Sequence, residues 1–204
     1  MNYPGGVKKT DIKLNSCIKK LDNEDTHKNR GMSLEKDLNL SNEYYRSIDK
    51  AYIYKKPTPV TIARVDYPSR NKATIKEAYF STPSTTDYNG IYKGFYIDYE
   101  AKETQSKTSF ALENIHEHQI KHLRNIERHK GIAFLIIKFT FLNKIFLLDS
   151  KDFFKYIDNT EKKSIPIEYF NECAYELKIK YQPRIDYLEI VDKLIDNMEV
   201  HNGR

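Results

Sequence analysis

The chain has 204 residues, 39% hydrophobic and 31% charged, with a net charge of +5, enough apolar material for one good core plus a polar arm. Two cysteines, Cys17 and Cys173, supply neither a disulfide framework nor a zinc set, and no apolar run reads as a signal peptide or membrane span. A protein of the reducing cytoplasm with no membrane partner is expected.

Residues 1–28 read as a flexible basic arm, in which Lys8, Lys9, Lys13, Lys19, Lys20 and Lys28 oppose Asp11, Asp22, Glu24 and Asp25 with few apolar residues to hold a fold. One domain is expected over 29–200. Ser33 caps a helix containing Leu34, Leu38, Tyr44 and Tyr45. Glu35 in its first turn is favoured by the helix dipole, and either stays a surface acid or approaches a cation through water. A strand follows near Ala51-Tyr52-Ile53.

Between Lys50 and Lys76 stand seven basic residues (Lys50, Lys55, Lys56, Arg64, Arg70, Lys72, Lys76) against the single acid Asp66, a local excess larger than that of the whole chain. Such a strip suits phosphate contacts. Pro57, Pro59 and Pro68 punctuate it, and the alternation of Val60-Thr61-Ile62-Ala63-Arg64-Val65 predicts a projecting strand pair, an insertion at about 55–77. A further strand is read near Tyr79-Phe80.

The chemistry concentrates downstream. In Phe95-Tyr96-Ile97-Asp98-Tyr99-Glu100-Ala101-Lys102, aromatic and β-branched residues predict a strand, and its period of two sends Asp98, Glu100 and Lys102 to one face. Asp87 lies in Ser84-Thr85-Thr86-Asp87-Tyr88-Asn89-Gly90, whose Asn-Gly reads as a hairpin turn that would bring Asp87 beside Glu100. Hard carboxylate oxygens suit Mg²⁺, and a neighbouring ammonium can offset charge developing on phosphorus. Two acids and a lysine therefore point to a Mg²⁺-dependent cutter of phosphodiesters. Asp98 either assists a second ion or pairs with a nearby lysine.

A helix is predicted from Phe110 to Lys130, with Ser109 as N-cap and Gly131 as the stop. Its apolar stripe of Leu112, Ile115, Leu123 and Ile126 has Gln119 in the middle, expected to point at the acidic site. His118 and His122, at i and i+4, have transition-metal spacing. Without a cysteine or the His-Glu-x-x-His pattern, a solvated or DNA-facing histidine face, shared with His116, is preferred. Ile132 to Ile137 reads as a buried central strand and Lys144 to Leu148 as its neighbour, with Phe153, Tyr156 and a final helix from Tyr187 to Met198 as outer packing. The expected fold is α/β, a central mixed sheet flanked by helices.

Six motifs in order resemble the RecU family of Holliday junction resolvases: Asn29-Arg30-Gly31-Met32, Lys55-Lys56-Pro57-Thr58-Pro59, Ala78-Tyr79-Phe80, the segment Ser84 to Gly90, Ile97 to Thr104, and Asn114 to Gln119. The resemblance spans about Asn29 to Tyr187. It implies a restriction-endonuclease-like core with a basic stalk insertion that enters the junction centre, acting as a homodimer that makes paired nicks. It places Thr85, Asp87, Glu100 and Gln119 around Mg²⁺, for which Mn²⁺ substitutes, and gives Lys102 the transition-state charge. Arg30, Lys55, Lys56, Arg64, Arg70 and Lys72 are the expected DNA contacts. A recombinase and a branch-migration helicase are its further implied partners. Two alternatives stay open: a duplex-cutting nuclease on the same scaffold, and a branched-DNA-binding recombination factor without catalysis.

Overall fold

The structure, a computed structural model, describes residues 33–69, 72–81 and 85–201, with side chains through 198. The expected basic arm, Arg30 and Arg70 lie outside the described residues. In chain order the elements are α1 (Leu34–Ser47), β1 (Tyr52–Lys55), β2 (Val60–Asp66), β3 (Thr74–Phe80), β4 (Tyr88–Tyr92), β5 (Phe95–Thr104), β6 (Ser109–Ala111), α2 (Glu117–Arg128), β7 (Ile132–Phe139), β8 (Lys144–Asp149), α3 (Ser150–Asp158), β9 (Ser164–Pro166), α4 (Ile167–Cys173), β10 (Tyr175–Leu177) and α5 (Leu188–His201).

Six strands form one mixed sheet in the order β1-β4-β5-β7-β8-β10. Only β5 and β7 run parallel, since the chain crosses between them through α2, while the other pairs are antiparallel. The apolar run Ile132 to Ile137 occupies β7, and every residue of that strand is buried, as a central strand covered on both faces requires. On one face Ile97, Tyr99, Phe134, Ile136 and Leu147 pack with Leu34, Leu38 and Tyr45 of α1 and Leu188 and Val191 of α5. On the other, Ala133, Leu135, Ile137, Phe146 and Leu148 pack with Leu123 of α2, Phe153 of α3 and Phe170 of α4. The expected helix–sheet–helix layering is therefore present. No helix among the described residues is long and apolar enough to cross a membrane.

Three local expectations are corrected. The predicted Phe110 to Lys130 helix starts only at Glu117, because Ser109–Ala111 is paired as β6 with β9 and a single 3-10 turn, Leu112–Asn114, intervenes. Phe110 is fully buried with Ile165, anchoring a short strand rather than opening a helix after Ser109. The helix does end as expected, with the Gly131 amide donating to the Ile126 carbonyl at 2.9 Å. Second, the strand expected near Tyr79-Phe80 is present but belongs to the projecting pair, which runs past the expected end at about 77: it closes β3, paired with β2, and Phe80 is 85% exposed. The projecting strand pair itself is as predicted, and its residues are almost all exposed.

Third, Asn89-Gly90 is no turn. Both residues lie inside β4, and the chain reverses at Lys93-Gly94, where φ is 50° and 82°, the doubly left-handed pair that a two-residue hairpin needs. Gly90 serves a different purpose, since a Cβ there would meet the Tyr52 carbonyl oxygen at 2.1 Å and the Ile53 Cα at 2.6 Å. It lets β1 lie against β4. Gly90→Ala is expected to lower unfolding free energy by upwards of about 2 kcal/mol, since backbone cannot yield as a side-chain tip does. Chemical denaturation would test this, and an unchanged midpoint would refute it.

Candidate active site

Alternation along β5 sends Asp98, Glu100 and Lys102 to the face covered by α2, while Ile97 and Tyr99 enter the opposite core. Asp87 stands one residue before β4, beside the Tyr88–Tyr99 register pair. The two acids meet through each other's backbone: the Asp87 amide donates to Glu100 Oε2 at 3.1 Å, and the Ala101 amide donates to Asp87 Oδ2 at 3.4 Å.

Glu100 is fully buried and receives two further donors on Oε1, Lys102 Nζ at 2.8 Å and Gln119 Nε2 at 2.6 Å. Gln119 is 4% exposed, and its Oε1 accepts the His116 amide at 3.0 Å, so one side chain both closes the N-terminal turn of α2 and fixes the acid. The expectation that Gln119 points at the acids is met, and it does so with its N–H. Thr85 lies next to this group in the chain with its hydroxyl 3.4 Å from the Thr86 carbonyl. Asp87, Glu100, Lys102 and Gln119 thus converge, with Thr85 at the margin.

Burial pushes the Glu100 carboxyl up to about 7, the nearby Asp87 charge adds to the push, and Lys102 opposes it. Two carboxylates crowded together, one of them buried, attract a cation. Among the described residues no cluster of three or more His, Cys, Asp or Glu side chains could hold a metal ion. A resident ion would therefore rest on two carboxylates, which fits Mg²⁺, a cation that keeps several waters. The donor set fits in chemistry, being all hard oxygen. His118 and His122 do not form a metal pair: His122 Nε2 lies 3.1 Å from Asp98, and the His118 ring stacks on His116 with centroids 5.4 Å apart.

Asp98 resolves toward the lysine pair, with Lys56 Nζ at 2.8 Å. Glu35 pairs with Lys55 at 2.6 Å, and together with Asp87 and Glu103 it lines a cavity of about 250 Å³. Of the expected DNA contacts, Lys56 thus turns inward, Lys55 is half-occupied by Glu35, and Arg64 and Lys72 are exposed. Sequence reading missed Thr86, buried and bonded to Asp98. It also missed the stack behind the acids, where the Tyr88 and Tyr99 rings lie 4.7 Å apart and Tyr99 and Phe134 4.9 Å apart. The available signal was position, since Tyr88 directly follows one acid and Tyr99 directly precedes the other.

Fold and site define the class, a mixed α/β core whose central sheet carries an acid, acid and lysine constellation. The family model for RecU, described as Recombination protein U, matches residues 29–193, and the chain belongs to the RecU family. The Holliday junction resolvase RecU of Pediococcus pentosaceus is 53% identical, covering 97% of this chain and 98% of that protein. The protein of the same name from Staphylococcus carnosus is 51% identical, over 96% of each. A solved structure of Archaeoglobus fulgidus Hjc, described as a Holliday junction resolvase, aligns at 12% identity and a TM-score of 0.42 over 70% of this chain and 93% of that one.

Because the folded Glu100 pKa lies above the ordinary 4.5, the folded protein holds this proton more tightly than the unfolded chain. The stability this group contributes is full below about pH 4.5 and is lost as pH rises through about 7. In metal-free buffer, thermal stability of the wild type is expected to fall more steeply between about pH 5 and 8 than that of Glu100→Gln. Equal slopes would contradict the raised pKa.

Proposed function

We propose that this chain resolves four-way DNA junctions in recombination and repair by paired, metal-dependent phosphodiester nicks. The observation that carries the reading is Glu100 joined on one side to the Asp87 amide at 3.1 Å and on the other to Lys102 Nζ at 2.8 Å, in a chain of the RecU family. Bound Mg²⁺, or Mn²⁺ in its place, would be held by Asp87 and Glu100 with Thr85 and Gln119 beside them, and would supply Lewis-acid activation of water and phosphate.

The chain's own groups do the rest. The two acids supply hard oxygens and a negative field, and the backbone amides of Asp87 and Ala101 stop them from swinging apart. Gln119 holds Glu100 in one rotamer. Lys102, kept at Glu100 yet 23% exposed, presents its ammonium where substrate can reach it and offsets the charge that develops on the phosphate oxygens. Asp87 and Lys102 are the groups through which a loss of charge would act on rate rather than on DNA affinity.

In this reading two copies act together, because a two-fold substrate matches a two-fold dimer, and the work is done in the cytoplasm alongside a recombinase. The strand pair β2–β3 enters the junction. Arg64 and Lys72 meet phosphates there, and exposed Tyr79 and Phe80, 60% and 85% accessible, stack on unpaired bases.

The test is cleavage of a labelled synthetic four-way junction beside a linear duplex of matching sequence, in Mg²⁺ or EDTA. Symmetric nicks on the junction alone are expected in Mg²⁺, with the rate falling by about 100-fold in Lys102→Ala while junction binding persists. Cutting of both substrates would replace the reading with a general nuclease, and binding without cutting would replace it with an architectural DNA factor. Arg64→Ala and Lys72→Ala are each expected to weaken junction binding and to make the slope of log affinity against log salt shallower by about 0.9. An unchanged slope would remove that residue from the DNA contacts.

A further inference from the structure

Lys56 has the position of a phosphate contact but not the geometry of one. Its side chain is 18% exposed, and its ammonium lies 2.8 Å from Asp98 Oδ2 and 3.0 Å from the Thr86 hydroxyl. Its backbone amide donates to the Asp87 carbonyl at 2.7 Å. One residue therefore grips both Thr86 and Asp87, the two positions that carry the catalytic acid out of the strand pair and into β4.

Asp98 is the other half of this lock. It is fully buried, and besides Lys56 its Oδ2 accepts the Tyr96 hydroxyl at 2.9 Å and faces His122 Nε2 at 3.1 Å, while Oδ1 accepts the Thr86 hydroxyl. These partners come from three segments: the loop before β4, the catalytic strand β5, and α2. His122 sits one helical turn after Gln119, so the same carboxylate that anchors Thr86 anchors the helix that holds Glu100. A buried carboxylate left without its cation must drag in water or move, and here any movement is passed to Asp87 on one side and to Gln119 on the other.

We propose that Lys56 is a positioning residue for the nicking reaction, acting through Asp98 to hold Asp87 and α2 in register around Glu100. It is not a DNA phosphate contact. The inference rests on the junction-nuclease reading and adds to it a residue that sets the geometry of the acids without touching substrate. Lys56 also lies at the root of the β2–β3 strand pair, so the lock joins that insertion to the site by direct bonds.

The experiment measures single-turnover cleavage at saturating junction, junction affinity in EDTA, and its salt slope for wild type, Lys56→Met, Asp98→Asn and the double variant. For Lys56→Met the expected result is a saturated rate at least about 10-fold lower, as misplaced reacting groups give, with affinity and salt slope unchanged. The double variant is expected to be no slower than Lys56→Met alone, because the two residues act as one unit. Weaker binding with a salt slope shallower by about 0.9 and a preserved saturated rate would overturn the proposal in favour of a phosphate contact. Multiplicative losses in the double variant would also overturn it. Should Lys56→Met fail to fold, the double variant, which leaves no unpaired buried charge, carries the rate and affinity comparison. A wild type that leaves junctions uncut would sink the nuclease reading itself, whereas a wild type that cuts, with Lys56→Met altered only in binding, would sink this inference alone.

Discussion

Two carboxylates are held against each other, Glu100 buried and Asp87 half-buried at the edge of a cavity, and this is the constraint around which the rest of the molecule is arranged. Glu100 is fully buried, and its pKa rises because burial and the Asp87 charge both penalise the ionised form. Left alone, such a pair would separate or take up a proton. What prevents separation is backbone. Glu100 accepts the amide of Asp87 itself, and Asp87 accepts the amide of Ala101 beside Glu100, so parting them means pulling the entry to β4 away from β5. Lys102 and Gln119 then meet Glu100 from its own strand and from α2.

The opposite side of the sheet makes this hold rigid. Tyr88 and Tyr99 flank the two acids in sequence and turn into the core, where their rings stack face to face and continue onto Phe134. Aromatic contacts of this kind add about 0.5–1.5 kcal/mol beyond simple burial. They also fix the register of β4 on β5. The Tyr99 hydroxyl accepts from Asn42 of α1, and the Tyr187 hydroxyl bonds Asn42 in turn, so the helices behind the sheet are tied to the strand that carries Glu100. Polar groups that pair inside a core restrict how elements can slide, which is what a site built from several elements needs.

Charge is divided by depth. Basic residues with carboxylate partners near the site, Lys56 with Asp98 and Lys102 with Glu100, serve the interior. Those on or beside the strand pair, Arg64 and Lys72, are exposed. A basic strip counted along the sequence mixes the two kinds. The distinction matters because a buried ion pair acts on geometry and rate, while an exposed lysine acts on affinity and on its dependence on salt.

How much of this was legible follows from how local each signal is. Period-two alternation placed Asp98, Glu100 and Lys102 on one face, the apolar run Ile132 to Ile137 marked the central strand, and the charge of the Lys50 to Lys76 window marked the insertion; these depend on neighbours along the chain. The same locality misled at Asn89-Gly90, where the glycine answers to the Tyr52 carbonyl on another strand, and at Phe110, whose burial is set by Ile165 across β6 and β9. Lys56 and Asp98 stand 42 residues apart, and no spacing rule joins them. The sequence by itself determined that Asp98, Glu100 and Lys102 share one strand face and roughly where strands and helices fall, since propensity and periodicity are short-range. Only the tertiary structure decided which lysine pairs inward, which way Gln119 turns its amide, and how Asp87 meets Glu100, because those are settled by contacts between segments distant in the chain.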